Sequence, residues 1–161
     1  MSMITPCLWF DGNAEDAARF YVSIFPNSTL DSVERSPADN PSTAEGDVLT
    51  VNYTLDGQQF VGLNGGPDFP FSEAISFQIE CRDQAEVDRY WDALVADGGE
   101  HGQCGWLKDR FGLSWQVVPS ELGEVLRGPD RDGARRAMKA MLEMQKLDVQ
   151  QLREAYEGVP A

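Results

Sequence analysis

The chain has 161 residues, of which 42% are hydrophobic and 25% charged, an ordinary globular balance for one domain (1–161) with enough interior for a real core. Its 27 acidic and 13 basic side chains give a net charge of −14. That charge opposes nucleic-acid and anionic-membrane partners, and no segment is long and apolar enough to span a bilayer.

The opening Met1-Ser2-Met3-Ile4-Thr5-Pro6 has neither a basic nor an apolar leader segment. Three scattered cysteines, Cys7, Cys81 and Cys104, fit reduced thiols better than a disulfide framework, so a cytoplasmic location is expected. Ile4 to Phe10 reads as a short apolar strand, and Asp11-Gly12 turns the chain into a helix. Asn13 is expected to cap that helix with support from Asp16, and Ala17, Phe20, Tyr21 and Ile24 recur at helical spacing until Pro26. A second strand over Thr29 to Arg35 leads into a polar loop with Pro37 and Pro41, expected to be mobile. Val48 to Leu55 alternates cleanly, Asp56-Gly57 signals a hairpin, and Gln58 to Asn64 returns. Gly65 to Phe71 reads as a linker.

The second half repeats the plan. Ile75, Phe77 and Ile79 alternate with Ser76, Gln78 and Glu80. Asp83 and Glu86 form a capping pair for a helix bearing Val87, Tyr90, Trp91, Leu94 and Val95, which Gly98-Gly99 ends. An offset of 70 residues lays Asn13 on Asp83, Asp16 on Glu86, Phe20-Tyr21 on Tyr90-Trp91 and Ile24 on Leu94, an internal repeat of consistent chemistry. Cys104 to Pro119 reads as a β-hairpin turned at Asp109 to Gly112. Its return strand carries Leu113, Trp115 and Val117 on one face and Ser114, Gln116 and Val118 on the other. After Pro119 the pattern is helical. A short helix from Ser120 or Glu121 to Arg127 precedes one capped by Asp132, with Ala134, Ala137, Met138, Met141 and Leu142 on its stripe. Asp148 caps a last helix with Leu152 and Tyr156. Met138, Met141 and Met144 have the spacing of a pliable lid, but core or dimer packing is the commoner meaning.

Asp109, Gly112 and Gln116 carry a resemblance to the last hairpin of the vicinal oxygen chelate superfamily, which includes glyoxalase I, extradiol dioxygenases and bleomycin-resistance proteins. Cys104-Gly105-Trp106-Leu107 with Trp115 and Pro119, the opening Phe10 to Ala17 with Phe20-Tyr21 and Phe25-Pro26, and the tail Met144 to Asp148 are similar to its PhnB-like branch. That branch is often labelled as 3-demethylubiquinone-9 3-methyltransferase domains. The resemblance implies an α+β fold of two βαβββ modules (1–66 and 72–119) forming a curved mixed sheet, here followed by a C-terminal helical extension (120–161).

Away from the helix-covered faces the sequence places Thr50/Asn52/Thr54, Gly62/Asn64, Ser76/Gln78/Glu80 and Ser114/Gln116. Polar alternation commonly means a solvated face; paired modules would curve it into a cleft. The expected function is binding of a small organic ligand by Asn64, Ser76, Gln78, Trp106 and Gln116 in a homodimer, with no catalytic residue assigned. The resemblance implies metal ligands from four strands. Position by position this chain offers Thr5 or Pro6, Gly62 or Asn64, Ala74 or Ser76, and Gln116, which are poor donors for a divalent transition metal. Neither a metal nor a cofactor is therefore expected, and no Gly-x-Gly turn enters a helix to support the methyltransferase label. His101 and Cys104 supply two of the four ligands that a structural zinc needs, and Cys104 reads as a packed thiol rather than a nucleophile. The alternatives are a metal-assisted lyase, isomerase or dioxygenase, and a drug-sequestering binder.

Overall fold

The computed structural model describes residues 2–160; Met1 of the opening segment and Ala161 of the C-terminal extension lie outside the described residues. The chain forms two compact units, the first ending at Phe71 and the second beginning at Ser72.

The first unit runs β1 (Cys7–Phe10), α1 (Ala14–Ile24), β2 (Thr29–Arg35), β3 (Val48–Leu55) and β4 (Gln58–Asn64). Its sheet order is β1-β4-β3-β2, with β1 parallel to β4 and the other neighbours antiparallel. The first strand is shorter than its apolar run predicts, because Ile4 stays exposed and Pro6 contributes only its carbonyl, to Val61 N–H. Ala14, Ala17, Ala18 and Tyr21 of α1 are fully buried where the helix packs on β3 and β4, with the Tyr21 ring beside that of Tyr53. Small residues let the helix sit close. A Cβ on Gly62 would come within 3.2 Å of the Ala14 Cβ, so a side chain there would crowd the helix and glycine lets it sit close.

One local expectation is corrected here. Asn13 stands at the N-cap of α1 but makes no side-chain cap bond; Asn64 Oδ1 accepts the Ala14 N–H instead, at 2.9 Å. The loop after β2 is tied down by backbone bonds from Ser36 to Asp47 and from Gly46 to Ser36, and Asn40 Oδ1 accepts from Ser42 and Thr43 N–H.

The second unit repeats the topology as β5 (Ser76–Cys81), α2 (Gln84–Val95), β6 (Glu100–His101), β7 (Trp106–Lys108) and β8 (Ser114–Pro119), in sheet order β5-β8-β7-β6. The β-structure is two four-stranded mixed sheets, one per module. Two residues are too few for the sequence to announce β6. The 70-residue repeat holds in the packing, since Tyr21 is 0% and Trp91 1% exposed in equivalent helices. Asp83 caps α2 through Glu86 N–H, as its spacing predicts.

The Asp-x-x-Gly hairpin turn has a direct physical account. Buried Asp109 accepts from Phe111 N, Leu113 N and the Trp115 indole at 2.8, 3.1 and 2.9 Å, so one carboxylate closes the turn and fixes the core tryptophan after it.

Helices α3 (Ser120–Leu126), α4 (Arg131–Leu142) and α5 (Val149–Glu157) pack around Val125, Ala137, Met144, Leu147 and Leu152. Asp130, not Asp132, caps α4, accepting from Asp132 and Gly133 N–H. The packed stripe of α4 is Gly133, Ala134 and Ala137, with Met141 alongside; Met138 and Leu142 are 47% and 54% exposed. The segment between α4 and α5 fastens these helices to the second module. Cys104 and Gly105 N–H donate to Met144 and Gln145 carbonyls, both at 2.8 Å. The Gln84 amide bridges Leu147 O and Val149 N, and Lys146 reaches Asp88 and Asp92. Leu147, fully buried, lies against Gly105, where φ is +84° and a Cβ would fall 2.9 Å from the leucine. Glycine meets both demands at once.

Candidate functional site

The face of the second sheet turned away from α2 is built by strand register. Glu100 pairs with Lys108, Lys108 with Ser114 and Ser114 with Ser76, giving one row across all four strands. The next row is Trp106, Gln116 and Gln78. Laterally paired residues share a face, so four of the five sequence-predicted ligand residues, Ser76, Gln78, Trp106 and Gln116, stand together. The opposite face carries Phe77, Leu107, Trp115 and Val117, and α2 covers it. Gln116 Nε2 donates to Ser76 Oγ at 2.9 Å, diagonally between the rows.

Two members of this face, Glu100 and Lys108, escaped the sequence reading, and Ser114, placed on the face by its parity, was not among the predicted ligand residues. Together with Glu73, His101 and Trp106 they line a hollow of about 510 Å³. Lys108 pairs with Glu73 across it. The hydrogen bond from Lys108 holds the Glu73 carboxyl below the usual carboxylate range, and the same contact raises the Lys108 ammonium. His101 Nδ1 accepts from the Trp91 indole at 3.0 Å, so the neutral ring carries its proton on Nε2 and is a donor there. Ser114 is 1% exposed and its hydroxyl has no hydrogen-bond partner. A buried hydroxyl in that state costs about 1–3 kcal/mol. Its neighbour Ser76 is turned to Gln116, and Lys108 is drawn to Glu73. The signal that could have found it was the strand parity of Ser114 itself, which the sequence already put beside Gln116.

The fifth predicted residue is elsewhere in kind. Tyr53 pairs with Phe60 and Val51 with Gly62, so Gly62 and Asn64 face α1 and not the open side. Asn64 is 3% exposed, its Oδ1 accepts from Ala14 N and its Nδ2 donates to Val48 O. The parity of β4 was misread because Gly62 has no side chain to mark its face. On the true open face of the first sheet, Asn52 donates to Ser32 and Thr54 to Asp31.

Residues 2–118 match the family model described as 3-demethylubiquinone-9 3-methyltransferase. The chain belongs to that family. Among solved structures, a PhnB protein from Bacillus cereus is 32% identical over 74% of this chain and 100% of its own, with a TM-score of 0.66. A protein from Pseudomonas aeruginosa is 22% identical over 74% of this chain and 98% of its own, with a TM-score of 0.55. A glyoxalase/bleomycin resistance protein from Albidiferax ferrireducens is 14% identical over 73% of this chain and 98% of its own, at a TM-score of 0.47. Comparison with curated proteins found no match. The matched family residues end before α3, so the tail Met144 to Asp148, read from the sequence as part of the likeness, lies outside them.

The metal centre that the sequence resemblance to the vicinal oxygen chelate superfamily implies finds a poor donor set in this 3-demethylubiquinone-9 3-methyltransferase family member. Asn64 has both ends of its amide engaged beneath α1, and Ser76 and Gln116 are bonded to each other. Neutral amides and hydroxyls in that state do not fit a divalent transition metal. Among the described residues no three His, Cys, Asp or Glu side chains are grouped to hold one. His101 is engaged with Trp91 rather than Cys104, and burial pushes the Cys81 thiol up to about 12. No helix among the described residues is long and apolar enough to cross a membrane.

Proposed function

We propose that the protein binds a small organic molecule on the open face of its second sheet, with Trp106 as the stacking surface and Ser76, Gln78 and Gln116 as hydrogen-bonding groups. The observation that carries the reading is the joint placement of these four residues, by register, next to a hollow whose lining includes the buried, unpartnered Ser114 hydroxyl. Binding sites combine an apolar wall with a few convergent polar groups. Asn64 is left out, because its amide serves the first unit. No reaction is assigned to the face.

A fragment screen observed on the protein by NMR tests this. Hits are expected to move the Trp106 indole N–H and the Gln78 and Gln116 side-chain amides, and Trp106→Ala should weaken them at least tenfold. Fragments that bind only elsewhere, or none at all, would remove the reading.

We further propose a cytoplasmic homodimer. The three free thiols support the compartment. The exposed pair Met138 and Leu142, one turn apart on α4, supports a self-contact. Light scattering should give twice the chain mass, falling to the monomer when both are changed to Asp.

A further inference from the structure

We infer that the hollow beside Lys108 is a subsite for a small zwitterion, a molecule with a carboxylate and an ammonium on an apolar body, such as a free aromatic amino acid. The inference deepens the ligand reading above and rests on it.

The first observation is the Ser114 hydroxyl, 1% exposed, unpartnered and lining the hollow. Protein interiors seldom leave such a group unpaired, and nothing on its own sheet satisfies it. Lys108 is its direct cross-strand neighbour. A carboxylate set between them receives an O–H and an N⁺–H together, the charge-assisted arrangement that is strongest for such bonds.

The second observation is that Lys108 is held by an exchangeable partner. The Glu73 side chain is 63% exposed and that of Lys108 35%. An exposed pair of this kind contributes little, so a ligand carboxylate replaces Glu73 at small cost.

The third concerns what remains. Glu100 stands beside Lys108 across the strands, and Glu73, once released, stays at the same hollow. Two carboxylates against one ammonium, on a chain of net charge −14, repel a simple acid. An ammonium on the ligand answers both. Trp106 then provides a flat wall for the apolar body.

The test is NMR titration of the full chain with L-phenylalanine, 3-phenylpropionate and 2-phenylethylamine at matched ionic strength. Phenylalanine should shift the Trp106 indole signal and bind at least ten times more tightly than either singly charged analogue. Ser114→Ala should weaken phenylalanine several-fold while leaving the melting temperature unchanged or higher, because the hydroxyl has no partner in the free protein. Glu100→Gln should weaken phenylalanine and strengthen phenylpropionate. No phenylalanine shift, equal or tighter phenylpropionate binding, or unchanged affinity in Ser114→Ala would overturn the subsite. If neutral fragments still moved Trp106 and Gln116, the ligand face would survive that failure. If nothing moved any residue of the face, both would fall.

Discussion

The two units share one topology and differ in what their polar groups do. In the first, Asn64 serves the helix start and the Val48 carbonyl, Asn52 serves Ser32, and Thr54 serves Asp31. In the second, the sheet face turned away from α2 carries Trp106, the unpartnered buried Ser114 hydroxyl and Lys108, which pairs with the exposed Glu73 ahead of β5. That unit also carries a helical extension fastened through Cys104, Gly105 and Gln84. Repetition of a fold does not repeat its chemistry. Polar groups stay available where internal hydrogen bonds have not already satisfied them.

The largest effect should come from breaking the brace. Leu147→Ala empties a fully buried site against Gly105 and should cost about 2–5 kcal/mol. Native-state hydrogen exchange should report lost protection in β7 and β8 with β3 and β4 unchanged. Equal loss in both units would break the comparison. Next, Asn64→Ala removes the bond to Ala14 N and the one to Val48 O. It should cost about 1–2 kcal/mol in urea unfolding and leave the affinity of any fragment for the Trp106 face intact. A change in that affinity would mean that the two units are not separate in function.

The smallest effect concerns pH. Arg153 on α5 grips Glu121 on α3 through two bonds at 2.8 and 3.0 Å and holds its carboxyl below the ordinary 4.5. A carboxyl whose folded value is lowered contributes stability above its unfolded value and loses it as pH falls through the folded one. Melting temperature should therefore drop below about pH 4.5 by this route. Glu121→Gln should flatten that part of the profile, at a cost of about 0.2–1 kcal/mol at neutral pH because Arg153 is half exposed.

Strand alternation in β3 and β8, the Asp83 and Asp148 caps and the Asp109 turn were legible in the sequence, because each depends on residues within a few positions of one another, and the 70-residue repeat was legible as two such local patterns laid side by side. The same locality placed Ser76, Gln78 and Gln116 on one face. Only the tertiary structure decided that Asn64 caps a helix start 50 residues away. Only register across β6, β7 and β8 brought Glu100, Lys108 and Ser114 into one row. The facing of β4 was also beyond the sequence, since a glycine at its centre leaves parity unmarked. Local periodicity fixes which way a side chain points along its own strand; what it meets there depends on partners the chain supplies from far away.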